Sequence, residues 1–134
     1  MLVDKELLLS NEQSLTATAV STYSVNLGAV RDVGKGKQLF VVVVIDTAVA
    51  VADAAKTLAI SLITDDAEGL GSATTILTLP TIAGSLLTAG RTPIVIAIPP
   101  GIAEQYLGLT YTLSTTFTAF KVTAFVAFEY QSNL

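Results

Sequence analysis

The sequence predicts an all-β fold: one antiparallel jelly-roll sandwich of about eight strands, preceded by an N-terminal arm. Three observations carry that expectation. Thr, Val and Ile supply 41 of the 134 residues, and β-branched side chains, restricted at χ1, suit a pleated surface better than a helix. Apolar and polar residues alternate with period two over several stretches. Turn signals separate those stretches at short intervals, as in an antiparallel sandwich or barrel. An up-and-down barrel is the alternative built from the same signals.

Strands are expected over residues 12–18, 22–27, 38–46, 57–64, 75–79, 93–98, 106–113 and 119–130. Over residues 17–27 the larger groups Ala17, Ala19, Tyr23, Val25 and Leu27 fall on odd positions, with Thr18, Thr22, Ser24 and Asn26 between them. Leu58, Ile60 and Leu62 alternate with Thr57, Ala59 and Ser61, and Leu107, Leu109, Tyr111 and Leu113 alternate with Gly108, Thr110 and Thr112. The last strand turns Phe120, Val122, Ala124, Val126 and Phe128 inward. Residues 40–45 and 94–98 are apolar on both faces, as in strands covered twice. Glycine-rich loops at 32–37 and 65–71 and the stop Pro99-Pro100-Gly101 punctuate these runs. Residues 48–56 read either as a strand with a turn or as a short alanine-rich helix, and 81–90 as holding a helical turn. No internal repeat or linker is visible, so residues 14–134 form one domain and residues 1–13 the arm. Leu7, Leu8 and Leu9 are consecutive and cannot share one face. Either the arm packs on more than one surface, or these leucines plug the chain's own sandwich.

Composition excludes much chemistry. The net charge is −4 and the chain has no His, Cys or Trp. There is no basic field for nucleic acid, no imidazole base, no thiolate, and neither residue type for a zinc site. Mean hydropathy is +0.67, yet Asp46, Asp53 and Lys56 follow the apolar run 39–45 within the twenty or so residues a membrane helix needs. No catalytic residue, cofactor site or metal site is expected. The acidic loop Asp65, Asp66, Glu68, Gly69 and Gly71 has oxygen ligands for a hard cation but not the spacing of a calcium loop, so it reads as a solvated hairpin loop. Gly34-Lys35-Gly36-Lys37 lacks the length and following helix of a phosphate loop and reads as a turn whose lysines could meet an acidic partner. Asp46, Asp53 and Glu104 read as isolated solvated acids rather than a glycosidase pair.

What remains is apolar excess. Phe125 and Ala127 fall on the outward face of the last strand, and Phe40, Val42 and Val44 double the apolar face of the third. Together with Leu2, Val3, Leu7, Leu8 and Leu9 of the arm, these are the expected interface residues of an oligomer or assembly subunit. The competing reading is that the arm and long loops cover those faces within one chain.

Asp4-Lys5, Leu9-Ser10, Gln13, residues 16–19, Leu27-Gly28-Ala29, Arg31-Asp32-Val33-Gly34, Ile98-Pro99-Pro100-Gly101, residues 106–111, Phe117-Thr118-Ala119 and residues 121–125, in this order, resemble the small jelly-roll capsid cement (decoration) proteins of tailed bacteriophages. The chain departs from that pattern at residues 52–56, which lack a glycine-rich turn, and at Gly108, where a charge is common. The resemblance implies a non-enzymatic virion protein, made in the host cytoplasm and homodimeric. It would sit on the capsid exterior and bridge major capsid proteins, with neither nucleic acid nor membrane as partner. Two other classes remain: a carbohydrate- or receptor-recognising jelly roll of a phage fibre, and an enzyme using carboxylates alone.

Overall fold

The structure is a computed structural model and describes residues 5–28 and 38–127. After a 3-10 turn at Lys5–Leu7 come β1 (Leu8–Ser14), β2 (Ala19–Val20), β3 (Val25–Asn26), β4 (Phe40–Thr47), β5 (Thr57–Asp65), β6 (Thr74–Thr78), β7 (Ile82–Ala83), β8 (Ile94–Ala97), β9 (Tyr106–Leu113) and β10 (Lys121–Ala127). Two antiparallel sheets face each other as a sandwich. One has the order β1-β10-β4-β8; the other has β2-β9-β5-β6, with β3 also on β9 and β7 also on β5. Taking β2 with β3 and β6 with β7 as interrupted strands, the pairing is nested. The first strand pairs with the last, the second with the second last, and so on inward.

Alternation builds the core. Leu58, Ile60, Leu62, Leu107, Leu109 and Tyr111 from one sheet meet Val41, Val43, Phe120, Val122 and Ala124, and all are almost fully buried. Each such aliphatic side chain contributes about 1.5–3 kcal/mol by leaving water.

Two expected boundaries move. The first strand begins at Leu8 rather than residue 12, so residues 8–13 of the expected arm belong to the sheet. Register slips occur between Leu8 and Ser10 and between Ser10 and Gln13 against β10, and Glu12 in the second slip has φ 46°. Extra residues in a strand break period two, and so the neighbours Leu9 and Ser10 are both fully buried. The second expected strand, 22–27, shortens to β3, and β2 forms in the expected gap before it; between the two the Ser21 hydroxyl donates to the Tyr23 carbonyl (2.8 Å) and accepts from the Leu109 N–H (3.2 Å). Residues 48–56 hold neither a strand nor an α-helix but a 3-10 turn, Val51–Asp53, and a second such turn, Gly84–Leu86, is the helical turn expected within residues 81–90. No helix is long and apolar enough to cross a membrane among the described residues.

Ser10 carries a polar join inside the core that the alternation hides. Its hydroxyl donates to Gln13 Oε1 at 2.7 Å, so the Tyr111 phenol, 2.8 Å away, donates to Ser10 Oγ.

Candidate functional site

The expected interface residues separate into three groups. Leu2 and Val3 lie outside the described residues. Leu9 is in the core and Leu7 packs against it, because the β1 bulge turns this segment inward; Leu9 is therefore corrected from interface to core. The others do meet on the outer face of the four-stranded sheet. Leu8, Phe125, Val42 and Val95 form one cross-strand row, flanked on β4 by Phe40 and Val44. Yet Val42 is 0% and Phe125 4% exposed. These two are buried, and half-buried Leu8, Phe40, Val44 and Val95 border them.

The two most exposed large apolar side chains among the described residues sit instead where no periodicity points, on the turns at one end of the sandwich. Val51 is 94% and Leu86 58% exposed. Their turns are stitched together by backbone bonds from Gly84 N to Lys56 O (2.7 Å), Ser85 N to Ala54 O (3.1 Å) and Val49 N to Leu87 O (3.2 Å). Asp53 anchors this end from beneath. It is buried, pairs with Lys56 Nζ at 2.6 Å, and accepts from the Thr118 N–H at 2.7 Å. The Lys56 hydrogen bond and the Thr118 amide hold its carboxyl below the ordinary value. Asp53 is thus a structural acid rather than a solvated one. The sequence signal that could have found this tip is Val51 between alanines in a segment with neither strand nor helix periodicity.

The opposite end, about 26 Å away along β5 at 3.3 Å per residue, is acidic. The loop after β5 is not simply solvated. Asp65 is buried and accepts from Ala67 N (3.2 Å) and Ser72 N (2.8 Å), bracing the loop across its neck. Leu70, buried at φ 56°, sits over Gly108, where an added Cβ would overlap its side chain. That is why a glycine stands where the resemblance leads one to expect a charge. Carboxylate oxygens of Asp65, Asp66 and Glu104 lie within 4.8 Å of one another. The Ser72 amide lowers Asp65, while the neighbouring Asp65 raises Asp66. The trio could offer three oxygens to a cation, short of the six to eight calcium takes, and Glu104 also accepts from the Thr64 hydroxyl at 2.9 Å. Asp46 is exposed and bonded to Thr123. The three acids singled out in the sequence, Asp46, Asp53 and Glu104, thus stand in separate places, and of them only Glu104 joins other carboxylates among the described residues. The Gly34–Lys37 loop lies outside the described residues.

At the acidic end a cleft of about 560 Å³ opens between β1, the β2–β3 segment and the 66–72 loop, with Tyr23 and Glu68 among its walls. Tyr23 is 49% exposed, although period two expects it inward. Its N–H donates to the Leu9 carbonyl at 2.8 Å, which pulls this segment to the sheet edge and turns the ring outward.

Against known proteins, the family model described as Bbp16 matches residues 9–126, the span from buried Leu9 to Val126 that contains both sheets. No curated protein sequence matches the chain.

Proposed function

The chain belongs to the Bbp16 family, and from that premise we propose that it is a structural virion protein, a capsid cement subunit. In this reading it binds the outside of an icosahedral phage shell, bridges major capsid proteins, and does no chemistry. The observation that carries it is the exposed apolar tip of Val51 and Leu86 on a braced pair of turns. A rigid knob of this kind fits a protein partner, because it can bury apolar area without first being ordered. Two further features support it. The nested strand pairing is the order expected of a jelly roll, the fold of the resembling cement proteins. The buried acids Asp53 and Asp65 are both committed to partners within the fold. A ligand that binds only the assembled shell stabilises it by RT ln(1 + [L]/Kd), and many attached copies multiply the effect.

The test is to mix the purified chain with expanded empty shells of its own virus, then measure co-sedimentation and shell melting. Binding with a raised shell Tm is expected. Val51→Asp and Leu86→Asp should each weaken binding about tenfold or more, since burying such a side chain is worth about 1.5–3 kcal/mol, while leaving the chain's own Tm unchanged. No binding by the unaltered chain refutes the proposal. Sedimentation of the free chain tests the homodimer in the same preparation.

A further inference from the structure

We propose that the cleft at the acidic end is a receptor for a basic side chain, lysine or arginine, presented by a partner protein. Three distant stretches build it: Glu6, Leu8 and Asn11 from one side, residues 22–28 from another, and Glu68 from the loop after β5. Tyr23 supplies an exposed ring whose face attracts a cation. Glu68 is exposed and makes no side-chain hydrogen bond or ion pair among the described residues. The cleft is thus lined by both an aromatic residue and a carboxylate, the two groups that a lysine ammonium or an arginine guanidinium can engage.

The cleft is held open in advance. The Ser24 hydroxyl donates to the Glu68 carbonyl at 3.0 Å, and Gln105 Nε2 donates to Asn26 Oδ1 at 2.9 Å. Leu70 pins the same loop over Gly108. Little ordering entropy is then lost when a ligand enters. Strain concentrates here too. Of the two non-glycine residues with left-handed backbone among the described residues, Glu12 adjoins the lining residue Asn11 and Leu70 lies two residues beyond the lining residue Glu68, and such conformations gather at binding sites.

Charge selects the ligand. Asp65, Asp66 and Glu104 crowd the same end, no Lys or Arg is among the described lining residues, and the chain carries −4 overall. That field draws in a cation and repels phosphate or sulfate groups. A neutral sugar would find the same amides and hydroxyls but gain nothing from the field. The volume exceeds one side chain and admits the residues flanking it. Only the naming of the shell as the source of the basic residue rests on the cement reading; the cation preference does not.

The experiment is a titration of the full ¹⁵N-labelled chain with acetyl-Ala-Lys-Ala-amide and acetyl-Ala-Arg-Ala-amide, and with the norleucine analogue as control. Saturable shifts at Asn11, residues 23–26 and Glu68 are expected for the basic peptides and absent for norleucine. Tyr23→Leu and Glu68→Gln should each weaken binding about two- to fivefold, and Tyr23→Trp should keep or tighten it. Equal shifts with the norleucine peptide, tighter saturation by methyl glucoside, or unchanged affinity in Glu68→Gln would overturn the proposal. Tighter peptide binding in Lys35→Ala/Lys37→Ala would show the chain's own loop as occupant and overturn the partner assignment. If Glu68→Gln loses peptide affinity but binds shells normally, the receptor stands and the shell is not its partner.

Discussion

Replacing Gly84 by alanine should damage the apolar tip more than any change to its exposed side chains damages the fold. A Cβ at this position would come closer than 3.0 Å to the Asp53 carbonyl oxygen, and would lie 3.2 Å from the Lys56 carbonyl oxygen and 3.3 Å from Ala54 Cα. All three are backbone atoms, so no side-chain rotation relieves the overlap. They also belong to the segment that Gly84 and Ser85 stitch to their own turn, so relief means parting the two turns. Overpacking of this kind costs about 1–3 kcal/mol. For 134 residues the unfolding entropy is about 0.28 kcal/mol/K, which converts that cost to a Tm loss of about 4–11 °C. Gly90→Ala is the control, since an added Cβ meets nothing within 4 Å there, and it should be neutral or raise stability by up to about 1 kcal/mol. Calorimetric melting of both variants measures the difference. A Gly84→Ala Tm within 1 °C of the unaltered chain would refute the close approach of the turns, and with it the rigidity ascribed to the tip.

Stability should fall as pH drops below 3.8, because Asp53 and Asp65 are both held below that value in the folded chain and their contributions vanish as they protonate. Asp66 runs the other way. Its raised value favours the fold at low pH and is lost as pH rises through it, so Asp66→Asn should be more stable than the unaltered chain at pH 7, as Tm against pH would show. Tyr111→Phe removes the bond to Ser10 and should cost about 0.5–1.5 kcal/mol in urea unfolding. Burial pushes the Tyr111 phenol well above its usual range, so one of the four tyrosines should resist ionisation in an alkaline ultraviolet titration of the native chain. Leu70→Ala should cost about 2–5 kcal/mol and speed amide exchange at Ala67 and Ser72; unchanged exchange would mean that Leu70 does not hold the loop.

The long strands were legible because burial and period two agree in them. Leu58, Ile60 and Leu62, or Leu107, Leu109 and Tyr111, are inward as the alternation requires. β1 was misread because a bulge puts the polar Ser10 inside, and no pattern of residue types announces a bulge. Asp53 and Asp65 resembled solvated acids because their partners, the amides of Thr118 and Ser72, are backbone groups that any residue carries. Apolar content was legible as an excess, but its place was not. Val42 is strand-like and hidden, whereas Val51 stands exposed on a turn of three residues. Nor did the pattern place Tyr23 outside, since its position follows from one backbone bond to Leu9.

The contact between Ser10 on β1 and Tyr111 on β9 crosses from one sheet to the other. Aliphatic packing holds two sheets at a fixed separation but is nearly indifferent to their sliding, because one methyl group serves as well as the next. A hydrogen bond is directional and is satisfied at a single offset. Ser10–Tyr111 therefore works as a shear pin, locking the phase of the sheets as well as their spacing.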